Sequence, residues 1–142
     1  MAGFEIKVAA ELTAMDPEKQ GAGWAGRRTA LARQILRAFV DTGGSIPVQE
    51  IVAASPEYPV ELTYEALVAL DRDDVIRVRG GHVDVAYPFC AAPTHFAVRL
   101  PGGQERYACC ALDALGIAPM LGRSVGIRSR CHHCREPLPE FP

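Results

Sequence analysis

Val75-Ile76-Arg77-Val78, then Gly80-Gly81, then Val83-Asp84-Val85 is the stretch on which the fold turns. Two β-rich runs meet around a glycine pair, which predicts a hairpin. Working upstream, the spacing predicts three helices. Leu31, Ile35 and Phe39 recur every fourth residue with Ala38 beside them, forming one apolar stripe on a helix of roughly four turns. Arg27, Arg28, Arg33 and Arg37 lie off that stripe. Gly43-Gly44 stops the helix, because glycine accepts the left-handed cap conformation. Pro47 to Ala54 reads as a second, short helix carrying Val48, Ile51 and Val52. Pro56 and Pro59 bracket a turn, and Val60 to Asp73 reads as a third helix with Tyr64, Leu67, Val68 and Leu70. Three helices followed by a hairpin form a winged-helix arrangement, an elaborated helix-turn-helix. Before Arg27 the pattern weakens to a short helical piece around Val8–Ala14 and a loose linker ending Gly21-Ala22-Gly23-Trp24-Ala25-Gly26.

Downstream, a second lobe begins near Tyr87. Thr94 to Leu100 alternates, with Phe96, Val98 and Leu100 on one face of a strand and His95, Ala97 and Arg99 on the other. Pro101-Gly102-Gly103 turns the chain, and Glu105 to Ala108 returns antiparallel. A helix is predicted from about Cys109 through Leu115. Pro119 should end or kink it, since proline donates no backbone hydrogen bond. A strand follows through Val125 and Ile127. The expected fold is α+β: an N-terminal extension (1–26), a winged-helix-like helical lobe (27–86) and a thiol lobe (87–142). The thiol lobe is a small, mostly antiparallel sheet with a helix carrying a Cys-x-x-Asp motif.

Composition narrows the function classes. The chain has 142 residues, of which 49% are hydrophobic, enough for a packed interior and against wholesale disorder. A net charge of −2 argues against coating nucleic acid by bulk electrostatics. No apolar run reaches the length of a membrane span. Met1-Ala2-Gly3-Phe4-Glu5-Ile6-Lys7 has no basic start leading into an apolar stretch, so no secretory signal is read and a cytoplasmic location is expected. In that reducing compartment the five cysteines should be thiols or metal ligands. Duplex binding needs cations along the phosphates. The third helix, which would be the reader, instead carries Glu61, Glu65, Asp71 and Asp73, with Asp74 beyond and only Arg72 against them. A packing role is therefore favoured over operator binding, with a metal-responsive regulator as an alternative.

Four of the five cysteines, Cys109, Cys110, Cys131 and Cys134, lie between positions 109 and 134, with His132 and His133 inside the last pair. Cys-x-x-Cys can bring two thiolates onto one ion through a tight turn. Cys109 and Cys110 are adjacent, and neighbours on a helix point about 100° apart, so they should not ligate one ion together. A structural zinc on Cys110, Cys131, Cys134 and one histidine is one reading. Another is that Cys109 or Cys110 is a small buried hydrophobe, as free cysteine often is; the same reading, or an incidental surface thiol, suits Cys90. Cys110 and Asp113 stand three apart, which on a helix puts thiol and carboxyl on one face. A thiolate can capture a soft metal and a neighbouring acid can deliver a proton. Burial would keep that proton on the acid near neutral pH. The plainer reading is an aspartate placed in the first turn by the helix dipole.

The wider string adds to this. Tyr107-Ala108-Cys109-Cys110-Ala111-Leu112-Asp113-Ala114-Leu115, Pro119-Met120-Leu121-Gly122-Arg123 and Val125-Gly126-Ile127-Arg128-Ser129-Arg130-Cys131 resemble the alkylmercury (organomercurial) lyase family. That family shows a Trp-Cys-Ala-Leu-Asp core, a Pro…Leu-Gly-Arg segment and a strand ending in Ser-x-Cys. Pro93-Thr94-His95-Phe96 also looks like the start of the family's sheet, and a winged-helix lobe precedes it there too. The resemblance spans roughly Arg27 to Leu138. It implies that Cys110 is the first thiolate to attack mercury, that Asp113 relays a proton to carbon, and that Cys131 matches a buried structural cysteine. It implies no organic cofactor, an organomercurial substrate, and a mercuric reductase as acceptor of the ion. The family's second catalytic cysteine lies in a C-terminal segment without a counterpart here. Cys134 is the expected substitute, and Cys109, standing where the family has tryptophan, is the other. Arg123, Arg128, Arg130 and Arg135 would favour the thiolate at Cys131 and Cys134. A smaller sheet would leave an edge for a second copy, hence a homodimer.

Three hypotheses follow. The first is a lyase using Cys110, Asp113 and Cys134 or Cys109. The second is a non-catalytic protein holding zinc, copper or mercury on Cys109, Cys110, Cys131, Cys134, His132 or His133. The third is a winged-helix metal sensor.

Overall fold

A computed structural model describes residues 22–142, with side chains from Gly26 onward; the helical piece expected around Val8–Ala14 lies outside the described residues. The first element is helix α1 (Ala22–Thr42). It begins within the stretch read as a linker, because each residue added to an existing helix gains a hydrogen bond, and this gain carries it through the glycines. Leu31, Ile35 and Phe39 are buried, as the stripe requires. Gly43, with φ 76°, follows the helix, its N–H donating to Phe39 O.

A two-residue strand β1 (Ile46–Pro47) comes next, too short to show a period in the sequence. Helices α2 (Val48–Ala53) and α3 (Val60–Arg72) fall where expected. Strands β2 (Ile76–Arg79) and β3 (His82–Ala86) form the hairpin. Gly80 and Gly81 both have positive φ, 54° and 76°, the requirement of a type I′ turn.

The chain continues through β4 (Phe89–Cys90), β5 (Ala97–Arg99), β6 (Glu105–Ala108), α4 (Ala111–Leu121) and β7 (Gly126–Arg128). The strands form one antiparallel sheet ordered β1-β3-β4-β6-β5-β7, with β2 on the other side of β3. One core runs beneath it, from Phe39 and Leu67 through Val83 and Phe89 to Val98, Ile117 and Leu121. The strand expected from Thr94 is shorter, because Thr94 spends its hydroxyl on Ala108 O at 2.6 Å. Val98 and Leu100 face inward as the alternation predicts.

Pro119 does not end α4. Its missing N–H leaves the Leu115 carbonyl unpaired within the helix, and Leu115 is exposed, so water can replace that bond. The helix instead stops at Gly122, in the left-handed cap conformation. Beyond β7 the tail doubles back. Ile127 and Phe141 exchange N–H···O bonds of 2.7 and 2.9 Å, so the edge expected to be open is partly bridged by the chain itself. Among the described residues no helix is long and apolar enough to cross a membrane.

Candidate active site

The junction of β6 and α4 is tied down before the thiols begin. Ala108 N–H donates to Phe96 O at 2.9 Å, Thr94 Oγ1 donates to Ala108 O, and Cys109 N–H donates to Pro88 O at 3.1 Å. Cys110 is then the N-cap of α4, with φ −153° and ψ 178°. The two cysteines therefore do not lie on a helix 100° apart. They alternate as residues of an extended chain do: Cys109 is half-buried and Cys110 exposed.

Cys110 and Asp113 meet. The Cys110 thiol donates to Asp113 Oδ2 at 3.2 Å, and the Asp113 N–H donates to Cys110 Sγ at 3.4 Å. The arrangement is a sulfur version of the capping box, in which the cap side chain takes the N–H of the third helical residue and that residue's side chain reaches back. The helix's positive end also lies beside the sulfur, where a negative charge is favoured. Asp113 is only half-buried and Cys110 is exposed, so the pair stands open to solvent.

Behind it, burial pushes the Cys109 thiol up to about 12, and the negative charges of Cys90, Asp113 and Cys110 add to the effect. Burial also raises the Tyr87 phenol, helped by Cys109. Cys90, for which the sequence offers only a small buried hydrophobe or an incidental surface thiol, thus acts on Cys109, which in turn acts on Tyr87, a residue of no motif. Nothing local in the sequence signals either, since β4 meets β6 only through tertiary pairing, Cys90 opposite Tyr107.

Cys131 and Cys134 form a second pair. Backbone N–H groups of Cys134 and His133, and the Cys134 side chain, hydrogen-bond to Cys131 and lower its thiol below the usual range. Of the four arginines expected to do this, Arg128 pairs with Glu105, and Arg130 donates to Arg135 O at 3.2 Å. His132 and His133 lie exposed on the turn between the two thiols. Among the described residues no three His, Cys, Asp or Glu side chains are gathered where they could hold a metal ion; the contacts described above are pairwise. Two clefts lie apart from Cys110. One, of about 620 Å³, runs between α3 and the hairpin, past Tyr64, Val68 and His82. The other, of about 420 Å³, opens beside His95, Tyr107 and Arg128.

Residues 89–139 match the family described as alkylmercury lyase. The chain is 34% identical over 108 residues to an alkylmercury lyase of Bacillus cereus, an alignment covering 76% of this chain and 47% of that protein. It is 32% identical over 118 residues to one of Streptomyces lividans, covering 83% and 52%. The chain spans about half the length of the curated relatives it matches. A solved structure, described as the mercury-bound form of MerB2, superposes with a TM-score of 0.68 at 22% identity over 87% of this chain and 56% of that one, which shows the shared fold.

Proposed function

The chain is a relative of the alkylmercury lyases, and on that premise we propose that it cleaves carbon–mercury bonds by thiolate capture and protonolysis. The observation that carries the reading is the direct contact between the Cys110 thiol and the Asp113 carboxylate at the start of α4. Mercury is soft and prefers sulfur. Cys110 sulfur bonds to the mercury of R–Hg⁺ while its proton passes to Asp113. A second thiol joins the metal and gives its own proton to solvent. Asp113 delivers a proton to the carbon, the Hg–C bond breaks, and R–H leaves with mercury(II) held on two sulfurs. Atoms and charge balance without an oxidant or an organic cofactor.

For the second sulfur, Cys109 is supported by its place beside Cys110 at the β6–α4 junction. Cys134 is supported by its exposure. In this reading α1–α3 with β2 and β3 form the winged-helix-like lobe (27–86), and 87–142 carries the chemistry. An acceptor such as a mercuric reductase belongs to the same scheme. The contact between Cys131 and Cys134 favours a second reading, a thiolate metal-binding protein without catalysis.

The test is reduced protein incubated with phenylmercury or methylmercury. Release of benzene or methane is expected. Asp113→Asn should abolish it while mercury still binds. Release that persists undiminished in that variant, or none from the parent protein, overturns the proposal.

A further inference from the structure

The tail after β7 is built as a small hairpin around two sulfurs. Leu138 N–H donates to Ser129 O at 3.0 Å, Arg130 bridges Pro137, and Cys131 N–H donates to Glu136 O at 2.8 Å. The turn closes with Arg135 N–H on Cys131 O at 2.9 Å, and Arg135 takes the left-handed conformation at φ 63°. A non-glycine residue there is uncommon. This turn holds Cys131 and Cys134 at the Cys-x-x-Cys spacing that can bring two sulfurs onto one ion, and the N–H groups of Cys134 and His133 help lower the Cys131 thiol. The N–H groups offset the charge of a metal-bound thiolate, and the exposed Cys134 leaves the pair accessible. The Ile127–Phe141 bonds anchor the whole hairpin to the sheet.

We infer that Cys131 and Cys134 form a two-sulfur site of their own, separate from Cys110, for a soft cation satisfied by two thiolates, of which mercury(II) is the case at hand. Zinc is a poorer fit, since a structural zinc site takes four protein ligands, and no third His, Cys, Asp or Glu joins the pair among the described residues. The proposed function enters only as the source of the ion. With Cys109 as the second sulfur of the cleavage site, mercury(II) left on Cys110 and Cys109 exchanges onto the hairpin. Two S–Hg bonds form there and release two thiol protons. The two S–Hg bonds that held the ion break, and those sulfurs take up protons. No electron transfer is involved.

Mercury(II) binds any single thiol, so the experiment must read chelation. Reduced full-length protein is loaded with mercuric chloride, washed with excess glutathione, and analysed for bound mercury. Cys110→Ser is expected to retain an ion, and Cys110→Ser/Cys134→Ser to retain one equivalent less. Cys134 is exposed, so its replacement leaves the core intact, and circular dichroism checks this. Equal retention by the two variants overturns the inference, because the ion then sits elsewhere, for example on Cys90 and Cys109. No retention by Cys110→Ser overturns it as well. The lyase reading stands or falls separately, on hydrocarbon release by the parent protein.

Discussion

Cys110 has two duties that can be pulled apart. Its sulfur caps α4 by accepting the Asp113 N–H, and the same sulfur is the proposed nucleophile. Serine is among the preferred N-cap residues, so Cys110→Ser keeps the cap and removes the soft donor. Its stability is expected to stay within about 0.5 kcal/mol of the parent while hydrocarbon release falls to background. Cys110→Ala removes both, and should cost about 1 kcal/mol of stability. Thermal melts beside product analysis check the pair of variants. If the serine variant still cleaves phenylmercury, another sulfur is the nucleophile. The bare spacing of Cys110 and Asp113 already made this contact legible, because residues three apart meet at a helix start. The roles of Cys90 and Tyr87 were not legible. They reach Cys109 through strand pairing and a loop, which leave no period in the sequence.

Among the elements, the β2–β3 hairpin is fastened by Arg77, which donates to Asp84 through Nε at 2.8 Å and through the terminal nitrogen at 2.9 Å. These bonds hold the Asp84 carboxyl below the usual carboxylate range. A depressed folded-state value means the contribution is present above the unfolded pKa and lost as pH falls through the folded one. Both groups are partly exposed, so the contribution is at most about 1 kcal/mol. Asp84→Asn should be less stable than the parent at pH 7, and the difference should shrink only as pH falls below about 4 and vanish at a pH below the depressed folded-state value. Denaturant melts at the two pH values measure it; a constant difference would refute the role of ionisation. The hairpin itself was readable because two glycines at a turn with positive φ are a local demand. Local signals also placed α1, through Leu31, Ile35 and Phe39, and β5, through Val98 and Leu100. They failed where the deciding contact was distant or too short to repeat: β1 and β4 have two residues each, and Pro119 is tolerated only because Leu115 faces water.

At the scale of the whole molecule, α1 and the strands that lead to Cys110 are held together by more than the shared core. Arg106, on β6, donates from Nε to the carbonyls of Phe39 and Val40, each at 3.0 Å, and from its terminal nitrogen to Val40 O at 2.7 Å and Asp41 O at 2.9 Å. These are the last carbonyls of α1, where a helix lacks intrahelical partners and favours a cation, and α1 has no basic residue of its own in that turn. Gly43 leaves room for the clamp: with φ at +76°, a Cβ there would stand 2.8 Å from Arg106 Cδ. Arg106→Met keeps the stem and deletes the donors. It should cost about 2 kcal/mol and lower the melting temperature by roughly 5–10 °C. Gly43→Ala should destabilise through the same contact, by backbone strain and by displacing the guanidinium. Because both act on one clamp, the double variant should lose less than the sum of the two singles. Each variant should still melt in a single transition, since Phe39, Val98 and Ile117 belong to one core. A two-step melt of Arg106→Met would mean that α1 and those strands fold independently and that the clamp, not the core, makes them one unit.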